Sequence, residues 1–98
     1  MRDDRLYWRR ADVLWRRSLD GLIVLSTEAG SATHITSPGD LIWAALESPI
    51  TLRRIGAIVG ERFAVSSDSV MGDVRSFLDE LDRIHALSSS AAGRNPHS

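Results

Sequence analysis

Large apolar residues recur at Val70, Val74, Phe77, Leu78, Leu81 and Ile84, the spacing of one face of an α-helix. At 100° per residue the stripe is roughly 120° wide. Asp73 and Glu80 fall together on one flank, and Met71, Arg75 and Asp82 on the other. Such a helix is marginal alone, because its apolar face must be covered by a second layer. The preceding sequence has to supply that layer.

Two shorter helices are expected before it. Ser37 reads as an N-cap and Pro38 as the first helical residue, with Asp40 in the first turn. Leu41, Ile42, Ala45 and Leu46 follow at helical spacing, and Glu47-Ser48-Pro49 ends the helix. Thr51 caps the next, which places Leu52, Ile55, Ile58, Val59 and Phe63 on one face. Ser66 or Ser67 caps the long third helix. Trp43, Leu46, Ile55, Val59, Phe77 and Leu81 form the expected core.

Before Ser37 the pattern is that of strands. Val13-Leu14-Trp15 and Leu22-Ile23-Val24-Leu25 are rich in β-prone residues. Ser18-Leu19-Asp20-Gly21 lies between them, and its Asp-Gly pair signals a hairpin. After a break at Gly30, residues 31–35 are small and polar apart from Ile35, the composition of an edge strand. Residues 88–98, SSSAAGRNPHS, have no large apolar side chain to offset the entropy of ordering, which predicts a disordered, dispensable tail. The expectation is one domain over residues 1–87: an α+β, winged-helix-like fold with a three-stranded antiparallel sheet followed by three helices.

Composition removes most chemistry. Twelve basic and 13 acidic residues leave a net charge of −1, so no bulk charge draws the chain to a polyanion. All 12 basic residues are arginine, and without lysine there is no Schiff-base or P-loop chemistry. Without cysteine there are no disulfides and no zinc sites built on sulfur. His34, His85 and His97 are too scattered to chelate, and no G-x-S-x-G elbow exists. No catalytic residue, metal or cofactor is expected. The longest apolar run, Leu22-Ile23-Val24-Leu25, cannot span a bilayer, and the acids of Met1-Arg2-Asp3-Asp4 with no apolar run behind them lead to the expectation of no secretory signal. A cytoplasmic protein is expected. Gly56 and Gly60 form a G-x-x-x-G that reads as close helix packing.

Two surfaces could bind a partner. Arginine occupies positions 2, 5, 9, 10, 16 and 17 and is interleaved with Tyr7, Trp8 and Trp15, a pattern compatible with nucleic acid. The third helix opposes that reading. Between residues 68 and 82 it carries Asp68, Asp73, Asp79, Glu80 and Asp82 against Arg75 alone, and phosphates would repel it. The other surface is the polar edge strand beside the amphipathic helix, a dock suited to an extended peptide.

The sequence resembles a known family. Gly39-Asp40-Leu41-Ile42-Trp43-Ala44-Ala45-Leu46, then Ser48-Pro49-Ile50-Thr51-Leu52, Phe63-Ala64-Val65, and Asp73-Val74 with Phe77, Leu78 and Leu81 are similar in order and spacing to the PqqD-like proteins, or RiPP recognition elements. The resemblance covers about residues 12–87. It implies a non-catalytic adaptor that binds the leader of a ribosomally made precursor peptide. It further implies presentation of that leader to a maturation enzyme, such as a radical-SAM enzyme or a leader protease. By position, the implied peptide contacts are Ser31, Ala32, Thr33, His34 and Ile35 on the third strand, with Val70, Asp73, Val74, Phe77, Glu80 and Leu81 on the third helix.

Overall fold

A computed structural model describes residues 5–27 and 30–91. In chain order these form β1 (Arg5–Arg9), β2 (Leu14–Ser18), β3 (Gly21–Ser26), β4 (Ser31–Thr36), α1 (Gly39–Ala45), β5 (Ile50–Thr51), α2 (Leu52–Phe63), α3 (Ser67–Arg83) and β6 (Leu87–Ala91). The fold is α+β, and among the described residues no helix is long and apolar enough to cross a membrane.

The three expected strands are β2, β3 and β4, an antiparallel sheet in that order. Register follows the hydrophobic alternation: Leu22 and Val24 pair with Ile35 and Thr33 and turn inward, and Ile23 and Leu25 turn outward. The β2–β3 connection is only Leu19 and Asp20, because Ser18 pairs directly with Gly21. Gly21 is therefore a strand residue, not part of the turn proper.

A second sheet departs from the expectation of one. Its order is β5-β1-β6, with all five residues of β1 paired to Leu87–Ala91 and Leu6–Tyr7 paired to β5. Residues 88–91, expected to begin the tail, are strand residues; residues 92–98 lie outside the described residues. A run of serines gives no hydrophobic pattern, and this strand is specified by the backbone ladder to β1. Deleting the chain from Ser88 would remove one of the two strands flanking β1, so dispensability does not extend to residues 88–91. The ends of β1 are tied further by Arg9 N–H to the Leu46 carbonyl and Arg10 N–H to the Ala86 carbonyl, both 3.0 Å.

The helices start and stop for identifiable reasons. Thr51 accepts from the Arg54 N–H at 3.2 Å and Ser66 from the Ser69 N–H at 3.3 Å, the two side-chain caps. At α1 the boundary is one residue later than expected: Pro38, after a cis peptide bond, stands in the cap position and Gly39 is the first helical residue. Asp40 Oδ1 takes the Leu41 N–H at 2.9 Å. At the end of α3, His85 adopts φ 62°, and Ala86 N–H returns to the Leu81 carbonyl at 2.8 Å. That is a Schellman closure with histidine where glycine is usual.

The core joins Leu22, Val24 and Ile35 of the sheet with Ile42, Trp43, Leu46, Leu52, Ile55, Val59, Val74, Leu78 and Leu81 of the helices. Five of the six expected core residues are buried, and Phe77 is the exception, only partly covered. Phe63, expected on the apolar face of α2, is 46% exposed. A Cβ on Gly56 would lie 2.8 Å from Met71 of α3, so that glycine does serve helix packing.

Candidate functional site

β4 is an edge of its sheet, with β3 on one side only. In an antiparallel pair alternate residues turn their N–H and C=O toward the partner, so every second residue of β4 presents those groups outward. Its side chains alternate as well. Ile35 is buried, Thr33 is half-buried, and Ser31, Ala32, His34 and Thr36 are exposed. The strand thus has a covered inner face, an open outer face and an unpaired edge.

That edge borders a groove of about 400 Å³. Thr33, His34, Ile35 and Thr36 form one wall, Asp73, Phe77 and Glu80 of α3 the other, and Pro38, Gly39 and Ile42 the floor. Packing explains the shape. A Cβ at Gly39 would stand 2.7 Å from the Ile35 side chain and 2.8 Å from the Phe77 ring, so only glycine lets the start of α1 reach both. Phe77 then lies over α1 with one part of its ring in the core cluster and the rest open to the groove.

The side chains at the rim are held unequally. His34 Nε2 is 3.0 Å from Asp20 Oδ1 and 3.3 Å from Ser18 Oγ, which turns the ring toward the β2–β3 turn. Glu80 meets Arg83 at 3.0 Å on the exposed surface. Asp73 has no hydrogen-bond or ion-pair partner among the described residues. None of the ten lining residues is an arginine.

Of the eleven residues named from the sequence, the groove gathers Thr33, His34, Ile35, Asp73, Phe77 and Glu80. Ser31 and Ala32 continue the same open edge beyond it. Val70 is half-buried and outside the lining. Val74 and Leu81, at 0% and 1% exposure, belong to the core and offer no side-chain surface. The stripe reads as a single face, whereas α2 packs along most of it and the Asp73–Phe77–Glu80 flank is left open. Sequence reasoning missed Thr36, Pro38, Gly39 and Ile42. The available signal was Pro38-Gly39 directly after the edge strand, which forces a tight entry into α1 beside it.

Three of the five described ribbon arginines are engaged within the fold, and Arg16 and Arg17 are exposed. The Arg9 guanidinium lies 4.9 Å from the Trp15 ring centroid and 5.3 Å from that of Trp43, and it donates to the Trp43 carbonyl at 3.2 Å. Arg10 makes a two-point contact with Asp12, at 3.1 and 2.8 Å. Arg5 donates to Ser89 Oγ of β6. Among the described residues no three His, Asp or Glu side chains converge as metal ligands.

Comparison with known proteins places this arrangement. No curated protein sequence matches the chain. The solution NMR structure for the PqqD truncation of Methylobacterium extorquens PqqCD superimposes with a TM-score of 0.71 over 85% of this chain and 88% of that one, at 14% identity. That domain is described as a functional, stand-alone recognition element for ribosomally synthesised and post-translationally modified peptides. At such low identity the likeness establishes a shared fold. The family model for coenzyme PQQ synthesis protein D matches residues 21–87, from β3 through α3 to the first residue of β6. By that match, the chain belongs to the PqqD family.

Proposed function

We propose that this protein binds the leader segment of a ribosomally synthesised precursor peptide as an added strand on β4, and presents it to a modifying enzyme or leader protease. The observation that carries the reading is the unpaired β4 edge running along a groove whose far wall is α3. Backbone bonds to such an edge give affinity with little regard for sequence, and groove side chains add selection. Family membership and the description of the M. extorquens relative support the same role. In this reading the protein is a non-catalytic cytoplasmic adaptor without a cofactor, and its contacts are Ser31, Ala32, Thr33, His34 and Ile35 with Asp73, Phe77 and Glu80.

The alternative is a winged-helix nucleic-acid binder that uses the arginine-rich N-terminal ribbon. The acids of α3 oppose it, and Arg5, Arg9 and Arg10 are already spent on contacts within the chain.

Proline scanning tests the dock. Proline at Ala32, Thr33 or His34 removes one N–H and obstructs an added strand, and it is tolerated where that N–H faces outward. At least one of the three variants should keep the wild-type circular-dichroism spectrum and bind the leader about 1–3 kcal/mol more weakly, roughly fivefold or more. Undiminished leader affinity in every folded variant would place the dock elsewhere.

A further inference from the structure

The groove also specifies what kind of peptide segment it takes, an inference that rests on the peptide-binding reading above. Asp73, Phe77 and Glu80 follow one another at intervals of four and three residues, so they line one face of α3. At 1.5 Å per residue, Asp73 and Glu80 stand about 10.5 Å apart along the axis, with Phe77 between them. On the opposite wall, Thr33 to Thr36 span about 10 Å at 3.3 Å per residue. The two walls match in length, so a guest extended along the groove is long enough to meet all three α3 residues.

The wall is acidic. No arginine lines the groove, and Asp73 has no partner among the described residues. His34 is turned toward Asp20 and Ser18. Glu80 has Arg83, but that pair is exposed and adjacent on the helix, a contact of small worth that a second cation can share. Between the two acids, the half-buried Phe77 ring offers an apolar seat.

An extended guest turns every second side chain toward α3, with about 6.8 Å between neighbours on that face. A residue opposite Phe77 therefore has same-face neighbours two positions away on either side, about 13.6 Å apart. Arginine and lysine are long enough to lean inward over the remaining 3 Å and reach Asp73 and Glu80. We propose that the groove selects a leader segment in which a large aliphatic residue is flanked, two positions before and two after, by arginine or lysine. The aliphatic side chain seats against Phe77, and the cations meet Asp73 and Glu80.

Three synthetic heptapeptides test this: acetyl-Thr-Arg-Thr-Leu-Thr-Arg-Thr-amide and its counterparts with both arginines replaced by glutamine or by glutamate. Each is titrated into ¹⁵N-labelled protein, and the β4 and α3 amide signals are followed. The arginine peptide should bind about fivefold or more tightly than the glutamine peptide, and the glutamate peptide weakest of all. The advantage should shrink between 50 and 500 mM salt as screening increases. It should vanish in the isosteric double variant Asp73→Asn/Glu80→Gln. Affinities within twofold of each other, a preference that survives in the double variant, or no binding by any of the three would overturn the charge rule. The outcomes separate the two claims. A glutamine peptide that shifts β4 amides as strongly as the arginine peptide leaves the dock standing and removes only the selection. Leader affinity in the proline variants judges the dock independently.

Discussion

Replacing Trp43 with alanine should lower the stability of the domain by about 3–5 kcal/mol, the usual cost of truncating a buried indole. The ring is 1% exposed in the middle of the core and meets Trp15 edge-on, with centroids 6.1 Å apart and planes at 72°. It also supports the Arg9 guanidinium that β1 lays across both tryptophans. Trp43 is thus where β1 of one sheet, β2 of the other and α1 come together. Its Nε1 is buried without a hydrogen-bond partner among the described residues, so truncation breaks no hydrogen bond and the loss is one of packing. A domain of this size holds roughly 5–15 kcal/mol in total, so the variant should be marginal or unfolded. In urea its midpoint should fall by about 2 M or more. Phenylalanine should recover part of the loss. A midpoint close to that of the wild type would mean that Trp43 does not sit at this junction.

Gly21 should be nearly as intolerant, for a different reason. A Cβ there would collide with the Ile35 carbonyl oxygen and lie 3.0 and 3.1 Å from two further backbone atoms of β4. Backbone cannot swing aside as the end of a flexible side chain can. β4 would have to withdraw, pulling Ile35 out of the core and distorting one wall of the groove. Gly21→Ala and Gly21→Val should therefore cost about the same, roughly 3 kcal/mol each, since the first carbon does the damage. Both should weaken leader binding as well. Gly72 is the control: it is exposed in the middle of α3 with nothing within 4 Å, and Gly72→Ala should stabilise by about 0.5–1 kcal/mol. Thermal melts of the three variants check this. A Gly21→Ala protein as stable as the wild type would refute the close approach of β3 and β4.

These residues show what the sequence could and could not convey. Periodicity exposed α2 and α3 because each buries a continuous stripe, and short side-chain caps marked their starts at Thr51 and Ser66. β4 was legible as an edge because a central strand needs more packing surface than Ser31-Ala32-Thr33-His34 provides. The second sheet was not legible. β1 is half-buried along most of its length, which blurs any alternation, and β6 is three serines between a leucine and an alanine. Their pairing joins residues more than 75 positions apart through backbone groups that every sequence possesses. Gly21 looked like a turn residue because Asp-Gly usually is one, yet its constraint comes from a strand ten residues later. Phe77 looked like core for a related reason. The stripe gives the direction of a side chain but not how far its neighbours extend over it, and here they stop halfway, leaving the ring at the groove.

The most direct test of the central claim is amide hydrogen exchange with and without the precursor leader. An added strand occupies outward N–H groups only, so protection should rise at alternate residues of β4, with a period of two between Ser31 and Thr36. The β6 edge should keep its free-protein exchange rates. The leader's own backbone amides should become protected over the same length. Protection that spreads evenly through α3 without touching β4, or that appears on β6 instead, would contradict strand addition at this edge.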